Sequence, residues 1–184
     1  MKRIFIGIKI TPDENFLRIF SSLKAELSDE SIKWTDAENI HITLAFLGDT
    51  DEARIPVLDR MLAEKCTGFG PFGLRLTGLG LFRNLRDPRI IWAGIEDTRR
   101  IAELNGLVAA GLKKNDFPVE ERPFSPHLTL GRIKRISDNE KLKSFVEANS
   151  GTFVQNVQVK EVILFESVLK QTGPVYKTLG KFQL

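Results

Sequence analysis

A chain of 184 residues, 42% of them hydrophobic, is sized for one compact domain, or two small lobes sharing a core, and not for a string of independent domains. Its single cysteine, Cys66, excludes an internal disulfide and fits a reducing, cytoplasmic setting, and no apolar run approaches the roughly 18 to 20 residues that span a bilayer, so a soluble chain is expected. The net charge of +3, from 27 Lys and Arg against 24 Asp and Glu, is too mild to point to nucleic acid by itself.

The N-terminal Met1-Lys2-Arg3 is basic, but the apolar run after it is too short for a signal peptide and lacks a small-residue cleavage site. It opens a strand over residues 3–10, in which Ile4, Ile6, Ile8 and Ile10 alternate onto one side. Thr11-Pro12-Asp13 then starts a helix: proline is tolerated in a first turn, and Phe16, Leu17, Phe20, Leu23 and Leu27 recur at helical spacing. A short strand over 32–35 precedes a longer one over 40–47, ended by Gly48-Asp49. Residues 51–66 carry the helical stripe Ile55, Leu58, Met61 and Leu62, with Cys66 expected as a packed or partly exposed thiol at the helix end. A turn over 68–71 leads to strands over 72–81 and 90–95, which flank a basic loop over 82–89 holding Arg83, Arg86 and Arg89.

Asp97-Thr98 caps a third helix whose buried stripe is Ile101, Leu104, Leu107, Val108 and Leu112. A proline-punctuated loop over 117–126 feeds a strand over 127–133. Ser137-Asp138 starts a fourth helix running to about Ala148, and strands over 151–160, 161–169 and 176–184 follow. Hairpin-length links among the late strands, with helices set between strand groups, favour an antiparallel α+β arrangement over a doubly wound parallel sheet.

Within this frame, the chain's only two histidines begin the same phrase, His41-Ile42-Thr43-Leu44 and His127-Leu128-Thr129-Leu130. Each phrase sits on a strand with a loop before it and a helix soon after, and the two lie close to half a chain apart, as two lobes related by a pseudo-twofold axis would place them. Strand residues i and i+2 share a face, so His41 and Thr43 project together while Ile42 and Leu44 enter the core, and the second phrase repeats this. Two imidazoles able to give and take a proton near neutral pH would then converge with two hydroxyls able to donate to phosphate oxygens. That set suits phosphodiester cleavage without a metal. Zinc is the competing chemistry, but two histidines and one distant cysteine are short of the usual nitrogen and sulphur ligands.

The stretches His41-Ile42-Thr43-Leu44-Ala45-Phe46-Leu47-Gly48 and Ser125-Pro126-His127-Leu128-Thr129-Leu130-Gly131-Arg132 resemble the paired signatures of the two-histidine phosphoesterases, specifically the RNA 2′,3′-cyclic phosphodiesterases also called 2′-5′ RNA ligases. The likeness extends, in the same order, to residues 3–8, Lys33-Trp34, Gly80-Leu81-Phe82, Ile91-Trp92-Ala93-Gly94 and Arg122-Pro123-Phe124. One departure is that Phe82-Arg83-Asn84 lacks the proline members often place after that phenylalanine. The resemblance implies a bilobal α+β fold of two antiparallel sheets around a central groove, all within a single domain over 1–184. It also implies hydrolysis of RNA 2′,3′-cyclic phosphate ends to 2′-phosphates, with no cofactor. His127 would be the proton acceptor that activates water, His41 the proton donor to the leaving 3′ oxygen, and Thr43 and Thr129 the groups holding the phosphate.

The implied partner is RNA ending in a 2′,3′-cyclic phosphate, tRNA fragments among them, met by a cytoplasmic monomer. Further substrate contacts are expected from Arg132, Arg122, Trp34, Phe82 and Phe124. The three aromatics are candidates to stack on a terminal base. Arg132 is out of strand phase with His127 and Thr129 and needs a bulge near Gly131 to reach the cleft. Lys134 has odd spacing too and suits a solvated position, and Phe46, out of phase with His41, belongs in the core. Two alternatives use the same groove: 2′-5′ ligation, which needs no nucleotide cofactor because the cyclic phosphate carries the strain, and an RNA-end binding module with little turnover.

Overall fold

The computed structural model describes residues 1–82, 88–171 and 173–184; Arg83 and Arg86 of the basic loop lie outside them. The described residues form nine strands and four α-helices: β1 (Lys2–Lys9), α1 (Glu14–Glu26), β2 (Ser31–Trp34), β3 (His41–Thr50), α2 (Ile55–Cys66), β4 (Phe72–Phe82), β5 (Ile90–Ile95), α3 (Arg99–Lys114), β6 (Leu128–Arg135), α4 (Asn139–Ala148), β7 (Phe153–Val159), β8 (Glu161–Lys170) and β9 (Gly173–Gln183). Aspartates start three of the four α-helices, as the sequence suggests. The Asp13 and Asp138 carboxylates accept from the backbone N–H of Phe16 and Lys141, and Asp97, rather than Thr98, accepts from that of Arg99.

All strand pairings are antiparallel, in the order β7-β4-β5-β6-β3-β1-β8-β9, with β2 added beside β6. At the centre of this order β3 and β6 share a single register pair, Ile42 opposite Leu128. The two expected sheets therefore meet edge to edge and curl as the two wings of one sheet. The order is palindromic by role. In each wing a histidine strand (β3 or β6) pairs with an earlier strand separated from it by a helix (β1 or β5), and a further strand lies outside that one, β4 as the hairpin partner of β5 and β8 from the C-terminal hairpin β8–β9.

Two of the helices cross between wings: α1 follows β1 but packs on β7, and α3 follows β5 but packs on β3 and α2. Exchange of this kind knits both halves into one continuous apolar core that includes Ile4, Ile8, Phe16, Leu62, Leu104, Leu128 and Leu164. Gln155, buried on β7, fastens one crossover by imitating a backbone segment: its side chain accepts from Asp13 N–H and donates to the Thr11 carbonyl. Two expected stripe positions turn outward instead, Leu17 and Leu107, at 43% and 39% exposure. In the first helix the packed face is Phe16, Ile19, Phe20 and Leu23, and Leu17, about 100° round the helix from Phe16, falls outside it.

A second, smaller apolar cluster of Phe5, Ile163 and Phe165, with Tyr176 against it, forms apart from the main core. It exists because β1 places Ile4, Ile6 and Ile8 on the helix side and Phe5 on the other, where it stacks on Phe165 at 4.8 Å.

Candidate active site

Both repeated phrases border one cavity of about 530 Å³, whose walls include His41 and Thr43 from β3, Thr129 from β6 and His127 immediately before it. The period-two alternation holds at both places: Ile42 and Leu128 are completely buried behind the cavity, and Leu44 and Leu130 nearly so.

The two imidazoles are fixed in the same way. His41 Nδ1 lies 2.6 Å from the Asn39 carbonyl and His127 Nδ1 lies 2.7 Å from the Ser125 carbonyl, in each case the residue two places before. A carbonyl only accepts, so Nδ1 of both rings carries hydrogen and Nε2 is the titrating atom. Asn39 is itself anchored, its side-chain amide donating to the Pro174 carbonyl at 2.9 Å.

Aromatic surroundings then distinguish the two rings. His41 sits between Phe5, 4.9 Å away, and the edge of Tyr176 at 5.1 Å, with Phe165 beyond, whereas His127 meets the edge of Phe82 at 4.5 Å. Burial holds both pKa values below the ordinary 6.5, against the raising effect of the carbonyl bonds; the Arg132 guanidinium pushes both down further, and His127 adds to the effect on His41.

Each imidazole should therefore titrate below 6.5 in the free protein, read from its ring protons by NMR, and rise when inorganic phosphate is added. A midpoint above 6.5 for either ring without ligand would contradict this site. Both rings bind fewer protons folded than unfolded. The stability they contribute is accordingly present above about pH 6.5 and is lost as pH falls through their folded midpoints.

Arg132 also borders the cavity, on the histidine face. The pairing of β5 with β6 shifts between Ile91 and Trp92, opposite Gly131 and Thr129, so Leu130 is an extra residue and the phase beyond it reverses. Lys134, two residues on, joins the wall for the same reason. Similar irregularities overturn the expectation for Phe46. Leu44 and Leu47 are both unmatched between β3 and β1, so the buried positions become 44, 47 and 50, and Phe46 emerges 52% exposed on the cavity rim with the Arg3 guanidinium over its ring at 5.1 Å.

Of the other candidates, Trp34 lines the cavity while its edge packs on Phe20. Phe82 is absent from the wall but braces His127 and leans on Trp92, whose ring lies over Gly80 so closely that any Cβ there would collide with it. Phe124 packs on the main core, and Arg122 points to solvent, paired with Glu120 at 2.9 Å; neither reaches the cavity. Sequence reasoning missed Arg3, Phe5, Asn39, Ser167 and Tyr176 as cavity walls. A signal existed for the first two, which occupy the opposite phase from Ile4, Ile6 and Ile8. Tyr176 is the chain's only tyrosine, yet nothing near it in sequence marks the site.

Among the described residues no group of three or more His, Cys, Asp and Glu side chains is placed to hold a metal ion. Cys66 is buried at the end of α2, with burial pushing its thiol up to about 11, and is inert packing. No helix among the described residues is long and apolar enough to cross a membrane.

A family described as LigT like phosphoesterase matches residues 8–92 and 94–176. The chain is 32% identical to the RNA 2′,3′-cyclic phosphodiesterase of Methanothermobacter thermautotrophicus, covering 99% of this chain and 98% of that protein. It is 35% identical to the Thermotoga maritima protein of the same name, over 82% and 78%. In structure it is similar to TT0787 of Thermus thermophilus, with a TM-score of 0.81 at 26% identity over 99% of this chain and 97% of that one. The fold also resembles LigT of E. coli solved with 3′-AMP, with a TM-score of 0.79 at 23% identity over 100% and 98%.

Proposed function

The chain belongs to the LigT-like phosphoesterase family, and on that premise we propose that it hydrolyses RNA 2′,3′-cyclic phosphate ends to 2′-phosphomonoesters without a metal. The observation that carries this reading is the matched pair of imidazoles on one cavity, each with Nδ1 committed to its own backbone and Nε2 left to titrate.

In the proposed reaction His127 Nε2 takes a proton from water as the water oxygen attacks phosphorus. The bond from phosphorus to O3′ breaks, and protonated His41 Nε2 supplies the hydrogen that the leaving oxygen needs. The proton passes between the rings' Nε2 atoms and solvent before the next turnover. Thr43 and Thr129 donate to the non-bridging oxygens, and Arg132 offsets the charge that grows on them. A bound phosphate anion favours the imidazolium that the free site disfavours, so substrate itself helps to charge the acid. Phe46, exposed on the rim with Arg3 over one face, offers a surface for the terminal base.

When the 5′-hydroxyl of a second RNA replaces water as nucleophile, the same groups would yield a 2′-5′ linkage and need no nucleotide cofactor. The whole chain acts as one bilobal unit, each lobe giving one His-x-Thr strand, and works as a cytoplasmic monomer, tRNA fragments being among the ends it would meet.

Product analysis on a defined RNA ending in a 2′,3′-cyclic phosphate tests the reading. The expected product is the 2′-phosphate alone, at a rate unchanged by chelator. A 3′-phosphate product would reverse the assignment of the leaving oxygen, and a loss that added metal restores would overturn the metal-free mechanism. Tight binding of 2′-phosphate ends without turnover would make the protein a binding module.

A further inference from the structure

The cavity carries more positive charge than one cyclic phosphate requires. A 2′,3′-cyclic phosphodiester bears a single negative charge, and Arg132 is the cation whose field acts on both imidazoles. Three more cations line the cavity: Arg3, which lies over the Phe46 ring, Lys33 beside Arg132 and Lys134 beyond it. On the cavity face of β6 the order from the reacting centre outward is Thr129, Arg132, Lys134, the last two separated by about 6.6 Å of strand. Lys33, on β2, is the register partner of Arg132.

Like charges placed directly opposite across a strand pair repel. Among the described residues, none of Lys33, Arg132 and Lys134 has a carboxylate within salt-bridge distance, and Asp36 is the one acidic residue in the wall. Lys33 also reaches across the cleft, its Nζ standing 3.6 Å from where a side chain on Gly173 of β9 would begin. Arg132 and Lys134 thus follow one another along β6, at a spacing comparable with that between successive phosphates of an extended strand, while Lys33 stands beside Arg132 on the neighbouring strand.

We propose that Lys33 and Lys134 form a second phosphate subsite that takes the internucleotide phosphate immediately 5′ of the reacting nucleotide, making the enzyme selective for oligonucleotide ends over mononucleoside cyclic phosphates. The inference rests on the phosphodiesterase reading for its reacting end, but the subsite itself is a matter of binding. It explains why a repulsive trio persists on one wall of the pocket: the nucleic acid supplies the missing anions. Arg132 serves the phosphate that reacts, and the two lysines serve the one that does not.

The test compares kcat/KM for three substrates: adenosine 2′,3′-cyclic phosphate, the ApA dinucleotide with the same cyclic end, and that dinucleotide with a neutral methylphosphonate linkage. The native protein should prefer the charged dinucleotide by about tenfold or more, as a charge-assisted contact allows, and lose the preference with methylphosphonate. The double variant Lys33→Gln/Lys134→Gln removes two exposed side chains. It should bring the dinucleotide down to the mononucleotide level and leave the mononucleotide within about twofold of native, with a salt slope shallower by roughly 0.7.

Equal losses on mononucleotide and dinucleotide, or a methylphosphonate dinucleotide as good as the charged one, would overturn the subsite. Calorimetric binding of adenosine 2′-phosphate and of ApA 2′-phosphate reads the subsite without turnover. A protein that hydrolyses neither substrate yet binds the dinucleotide more tightly through these lysines keeps the subsite and loses the phosphodiesterase reading. Turnover of both substrates with equal binding of the two 2′-phosphates, by native protein and double variant alike, does the reverse.

Discussion

Alanine in place of His127 or His41 should lower kcat on a 2′,3′-cyclic RNA end by about 10² to 10⁴, the usual consequence of removing a general base or acid, with the fold retained. Neither ring belongs to the main core, and the bond each loses is one to a carbonyl that water can replace. The two variants should nonetheless differ. A proton donor matters only where the departing oxygen needs a proton, so a phosphodiester with p-nitrophenolate as leaving group should recover much of the rate in His41→Ala and little in His127→Ala. The pH profile separates them as well. Native kcat/KM should be bell-shaped, and each variant should lack one limb, the alkaline limb in His41→Ala and the acid limb in His127→Ala. Full activity in either variant, or leaving-group rescue of the wrong one, would end the assignment of base to His127 and acid to His41.

The chemistry at the centre was legible in the sequence because it depends on a local rule. Residues i and i+2 of a strand share a face, so His41 with Thr43 and His127 with Thr129 follow from spacing alone, as does burial of Ile42 and Leu128 behind them. What lay beyond the motifs depended on how two distant strands count against each other. The unmatched Leu44 and Leu47 turn Phe46 out of the core, and the unmatched Leu130 turns Arg132 and Lys134 into the cavity. A bulge is a property of a pairing rather than of a strand, and it inverts every prediction downstream of it. The same limit hid Tyr176 and Asn39. Their roles come from β9 folding back beside the turn before β3, where the Asn39 side chain bonds the Pro174 carbonyl. Helix stripes fared well where tertiary contact agreed with period, and failed at Leu17 and Leu107, where the packed face is narrower than the apolar pattern.

The junction between the wings should be the place where stability and activity are most tightly tied. Ile42 and Leu128 are each 0% exposed and form the single register pair joining β3 to β6. Alanine at either position removes buried methyl groups and leaves a cavity, which costs about 2 to 5 kcal/mol, a large share of the roughly 5 to 15 kcal/mol that holds a domain folded. Leu62 of α2 is equally buried but lies in the helix layer, so Leu62→Ala should lose comparable stability in denaturant titrations. The difference should appear in turnover measured well below the melting temperature. Ile42 and Leu128 directly follow His41 and His127, so relaxation into the new cavity moves an imidazole relative to its partner on the opposite wing, and misplacement of about 1 Å can cost on the order of 10²-fold. Leu62→Ala should keep its kcat once folded, whereas Ile42→Ala and Leu128→Ala should not. Ile42→Val, which removes one methylene for about 0.5 to 1.5 kcal/mol, should fall between on both axes. If the junction variants lose stability while kcat stays native, the wings are held in register by the crossing helices instead, and the single strand pair at the centre only fills space.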